Sequence, residues 1–91
     1  MSKVLPKASQ MTARMAEHAK RIRDTASWPS KVLPIKSQPW VTEANGHEMM
    51  FATIVRMSVE SGQLYVIPAD GSGFQDFASI EDLVKIWAVD C

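Results

Sequence analysis

The chain has 91 residues, 46% of them hydrophobic, with three Trp and a formal net charge of zero. That length holds one small domain with a single core, and that apolar content argues against a disordered chain. No apolar run nears the ~20 residues that span a bilayer. No apolar stretch follows Lys3 and Lys7 to make a secretory signal. The single cysteine, Cys91, excludes an intramolecular disulfide and fits a reducing cytoplasm.

The neutral total conceals an asymmetry. Residues 1–38 carry eight basic groups against Glu17 and Asp24, whereas residues 39–91 carry eight acidic groups against Arg56 and Lys85. Such opposed halves imply internal complementarity or two separate binding surfaces.

In chain order, the opening "SKVLPKASQ" (2–10) returns as "SKVLPIKSQ" (30–38), with seven of nine positions identical. The residues after each copy, "MTARMAEH" and "PWVTEANG", are unrelated, which argues against a duplicated domain. Each copy is basic, apolar at Val-Leu and extended by its proline, so it suits an edge strand or a docking arm. Between them, Met11, Met15, His18 and Ile22 fall at the spacing of an amphipathic helix, with Ala19 beside the stripe. Lys20, Arg21 and Arg23 suit the negative C-terminal pole of that helix, and Arg14 lies two turns earlier. From Thr25 to Pro39, prolines at 29, 34 and 39 predict an extended connector held against the domain.

The rest reads as a β-meander closed by a helix. Trp40–Ala44 is a short strand, and Asn45-Gly46 is the strongest hairpin signal in the chain. A long strand is expected from Glu48 to Glu60, apolar on both faces: Phe51, Val55 and Met57 on one, Met50, Ala52 and Ile54 on the other. Ser61-Gly62 turns the chain into Leu64–Ile67, and "PADGSG" makes the next reversal before Phe74–Ala78. Ser79 with Asp82 forms a capping box, after which Ile80, Leu83, Val84 and Trp87 repeat at helical spacing. The expected fold is therefore a small α+β domain. An antiparallel meander of three or four strands carries a C-terminal helix, with a basic N-terminal helix and extended arm. One sheet face is left to be covered by the N-terminal helix, the connector or a second copy of the chain.

No catalytic signature is present. "ADGSGF" lacks the Gly-Lys-Ser/Thr end of a phosphate-binding loop and the spacing of a dinucleotide fingerprint, and its residues are ordinary turn formers. His47-Glu48 has no second His at helical spacing, and His18 reads as a packed imidazole. The expectation is a non-enzymatic cytoplasmic chain without cofactor or metal. Its size and lack of an enzyme motif fit accessory proteins of phages or other mobile elements.

Two binding classes remain. The first is a protein-binding adaptor or inhibitor of a larger complex, with Trp28 and Trp40 as exposed anchors and Asp70 and Asp76 presenting carboxylates to a basic groove. The second is nucleic-acid binding by Arg14, Lys20, Arg21, Arg23, Lys31 and Lys36, with Trp28 stacking a base. No helix-turn-helix, zinc finger or RNA-binding motif supports the second.

Overall fold

The computed structural model describes the backbone of residues 8–90 and the side chains of residues 12–90. The first copy of the repeat as far as Lys7, the side chain of Met11, and Cys91 lie outside the described residues. Helix α1 (Ala8–Arg23) leads through a short 3₁₀ turn (Thr25–Ser27) to β1 (Val32–Ser37) and α2 (Pro39–Ala44). Then come β2 (Phe51–Val55), α3 (Arg56–Ser61), β3 (Tyr65–Pro68), β4 (Gln75–Asp76), α4 (Ile80–Leu83) and β5 (Trp87–Val89). The five strands make one antiparallel sheet in the order β4-β3-β2-β1-β5.

The molecule is a small α+β fold, and several expected elements differ from those that form. The connector holds a strand, β1, with neighbours on both sides. Its register sets Leu33 opposite Ile54 on β2 and Ile35 opposite Val89 on β5. A proline inside such a strand is unfavourable because it removes a ladder donor. Pro34 meets β5 at the end of that short strand, where its carbonyl accepts from Asp90 N at 3.0 Å. Only one bond of a terminal pair is therefore missing.

The expected strand at 40–44 is instead α2. Pro39 stands at its first turn, where no N–H is needed, and Gln38 O accepts from the N–H groups of Val41 and Thr42 at 2.9 Å each. Asn45-Gly46 ends that helix and makes no hairpin. The long strand stops at Val55, where α3 begins. Ser58 Oγ donates to Val55 O at 2.7 Å, and Gly62 closes the helix at φ 84°, a left-handed conformation that glycine adopts without strain. The Ile80–Trp87 helix is one turn only. Ser79 does cap it, accepting from Asp82 N at 3.1 Å, but the chain then turns into β5 as a fifth strand.

Alternation along the strands sorts the two sheet faces. Leu33 and Ile35 of β1, Ala52 and Ile54 of β2, and Val66 of β3 point inward with Trp87 and Val89 of β5. Ala19 and Ile22 of α1, Trp28 after the 3₁₀ turn, and Leu83 and Val84 close over them. Met15 packs against the edge of this cluster.

One buried polar side chain joins these pieces. Gln38, fully buried, accepts from Arg14 Nε at 2.9 Å and donates to Val84 O at 2.8 Å and Trp87 O at 3.2 Å. Its backbone N–H donates to Ile86 O at 2.8 Å. A single residue thus links α1, the start of α2, the segment after α4, and β5. Gln38→Leu keeps the volume but strips a donor from two carbonyls. It should cost about 3 kcal/mol, since each buried polar group left without a partner costs roughly 1–3 kcal/mol. The midpoint of urea denaturation checks this.

Candidate functional site: the outer face of the sheet

The helices cover one face of the sheet; on the opposite face β1, β2 and β3 carry exposed side chains, whereas Ala88 of β5 is buried. Register places Val32 beside Val55, Pro34 beside Thr53, Thr53 beside Ile67, and Lys36 beside Phe51. Phe51 is 50% exposed and Val32 41%. Tyr65 on β3 stacks on Phe74, with ring centroids 5.1 Å apart and planes tilted by 34°. Phe74 is nonetheless 69% exposed. The outcome is an apolar surface crossing β1, β2 and β3 and reaching Phe74 just before β4, carried on a hydrogen-bonded ladder.

Charges border this surface. Asp76 lies on the outermost strand, β4, opposite Tyr65. Asp70 sits in the turn after β3, where Ser72 donates to it, through its side chain and through its backbone N–H at 2.9 Å. Those bonds hold its carboxyl below the usual range, so it is ionised at neutral pH. On the far side, Lys36 faces Asp90 at 3.8 Å.

The residues singled out from sequence do not form one site. Trp28 and Trp40 are 6% and 9% exposed and are structural, contrary to their expected role as exposed anchors. Trp28 belongs to the main core, its indole N–H reaching Arg21 O at 3.4 Å, and Trp40 donates to Lys85 O at 2.7 Å, fixing α2 to the end of α4. Of the basic residues, Arg14 is engaged with Gln38, Arg23 pairs with Glu81 of α4, and Lys36 pairs with Asp90. The Arg23 guanidinium holds the Glu81 carboxyl below its ordinary range. Lys20, Arg21 and Lys31 are exposed and enter no ion pair among the described residues. Of the set, Asp70, Asp76 and Lys36 flank the apolar face, and only Lys36 has an ion-pair partner among the described residues.

The aromatic residues of that face, Phe51, Tyr65 and Phe74, are not among the site residues that the sequence singles out. Their signal was the double-sided apolarity of residues 50–55, which implied a second face without identifying its cover. Among the described residues, no group of three or more His, Cys, Asp or Glu is placed to hold a metal. No helix among them is long and apolar enough to cross a membrane. Comparison with protein-family models, curated proteins and solved structures finds no match to the chain.

His18 fastens the helical layer to the sheet. Its Nδ1 accepts from Val89 N at 3.1 Å, capping the outer edge of β5, so the contact requires an unprotonated Nδ1. Burial, then Arg14, then Lys36 and Arg21 push the imidazole below its ordinary value, and Glu17 opposes them. The unfolded chain therefore takes up the proton first as pH falls. The stabilisation from this contact is complete above about pH 6.5 and is lost as pH drops below it. The melting temperature should decline over that range, and His18→Gln, which keeps an acceptor but does not titrate, should flatten the decline.

Proposed function

We propose that the chain is a non-enzymatic protein-binding module, an adaptor or inhibitor of a larger complex, that docks through the outer face of its sheet. The observation that carries this reading is the set of exposed apolar side chains Val32, Phe51, Ile67 and Phe74 on one face of the ladder, with half-buried Tyr65 stacked on Phe74. Exposed apolar side chains gathered on one face, rather than scattered singly, mark an interaction site. Aromatic residues on such a surface supply large contact areas at low conformational cost.

Charge sets the chemistry of the occupant. The surface is flanked by Asp70 in the turn after β3 and by Asp76 on β4, neither of which has an ion-pair partner among the described residues. The partner is therefore a protein apolar where it meets Phe51 and Ile67, and rich in Lys or Arg where it meets β4. Such basic margins are found on proteins that handle nucleic acid. The basic groups of this chain support direct nucleic-acid binding less well, because Arg14, Arg23 and Lys36 already have partners within the fold.

The immobilised chain, exposed to an extract of its native host, provides the test. A retained protein should be lost with Phe51→Asp and with Ile67→Asp, each weakening binding by about 2 kcal/mol or more, roughly thirtyfold. Asp70→Lys with Asp76→Lys should weaken it further and change its salt dependence, while Lys20→Glu with Arg21→Glu leaves it in place. Circular dichroism should show each variant folded, since every changed residue is exposed. Retention that depends on Lys20 and Arg21 and is released by nuclease would assign the ligand to nucleic acid instead. A dimer by light scattering that Phe51→Asp splits would make a second copy the occupant.

A further inference from the structure

A cleft of about 730 Å³ opens where the ends of β2 and β3 meet the loops flanking them. Met50, Pro68 and Trp87 contribute apolar surface to it, and Trp87 spends its indole N–H on Gln75 Oε1 at 3.2 Å. Glu48 lies in the segment entering β2 and Asp70 in the turn leaving β3. Among the described residues they are the only charged groups lining the cleft, no Lys or Arg lines it, and neither carboxylate joins an ion pair. Phe51 belongs both to this cleft and to the outer face, so the two surfaces are continuous.

We infer that this cleft receives a Lys or Arg side chain carried on an apolar segment of the docked protein. The inference rests on the protein-binding reading above and specifies the anchor that the partner supplies. Three features select that occupant. The volume lies within the ~300–1,000 Å³ typical of clefts that enclose a small ligand or short segment. The apolar surface suits the aliphatic stem of a long basic side chain, which buries its methylenes while its charge stays near water. Two carboxylates with no cation paired to them among the described residues leave a negative potential that a cation neutralises, Ser72 supplying Asp70 with neutral donors only. Both are exposed, so the cation need not be stripped of water to reach them. An anionic or purely apolar segment would leave the carboxylates unpaired.

The probe is the peptide acetyl-Leu-Arg-Leu-amide, with acetyl-Leu-Gln-Leu-amide as control, titrated into the whole ¹⁵N-labelled chain. The arginine peptide should shift the amides of Glu48 and Asp70 and the Trp87 indole N–H, and should bind at least fivefold tighter than the control. Glu48→Gln with Asp70→Asn should abolish that preference; the asparagine keeps an oxygen for Ser72 N, so the turn persists. Equal binding of the two peptides, or shifts confined to other regions, would overturn the inference. Partner retention separates the two claims. If the neutralised double variant keeps the partner at full strength while Ile67→Asp releases it, the cleft assignment fails and the docking face stands. If Ile67→Asp retains the partner, the docking reading itself fails.

Discussion

The buried amide of Gln38 is the point at which the layers of this small protein meet. Its oxygen accepts from Arg14 on α1, and its nitrogen donates to the carbonyls of Val84 and Trp87. An amide has both acceptor and donor capacity, and here each is used at a fully buried position. A hydrophobic residue of equal size would fill the space but abandon the carbonyls. Glutamate would face them with no proton to donate. The constraint also explains the sharp chain reversal after β1, because the backbone carbonyl of the same residue begins α2. Strand end, helix start and interlayer bond are one residue's work.

The sheet that results has two unlike faces. The inner one is filled by α1, Trp28 and the residues around α4, and the polar groups at its margin are satisfied. Arg14, His18 and Gln38 all sit along the boundary between α1 and β5, where the exposed edge of the last strand would otherwise offer unpaired backbone groups. The outer face has no such provision. Its apolar side chains are bordered by charge, with Asp76 beside Tyr65 on one flank and the Lys36–Asp90 pair beside Phe51 on the other. The charge asymmetry of the sequence is thus partly spent inside the fold: Arg23 with Glu81 and Lys36 with Asp90 each join the basic half to the acidic half.

How much of this was legible in the sequence depended on whether local pattern and tertiary demand agreed. They agreed along α1, where Met15, His18, Ala19 and Ile22 face the core side, and at the Ser79–Asp82 cap. They disagreed at Pro34, whose ring argues against an inner strand, because the cost falls only at the end of β5. At residues 56–61 the alternation of Met57 and Val59 mimics a strand, yet Ser58 and Gly62 complete a helical turn there. Trp28 and Trp40 resemble anchors in the sequence because Trp dominates interfaces, but their indole N–H groups find backbone carbonyls inside the domain. The exposed aromatics were harder to name, since Phe51 looks the same in a sequence whether covered or bare.

Strand β1 has one further consequence, concerning the order in which the chain is made. Its partner β2 follows within a few tens of residues, but its other partner, β5, comes after every other strand. During synthesis the β1 edge that will receive β5 is therefore exposed until the rest of the sheet has emerged. Val84, Ile86 and Trp87, which complete the bonds of Gln38, arrive at the same late stage. The nascent chain can pair β1 with β2 and extend to β4, yet its central amide remains unsatisfied until the final strand closes the sheet. Folding of this domain is completed from its C-terminal side, however early its first helix forms.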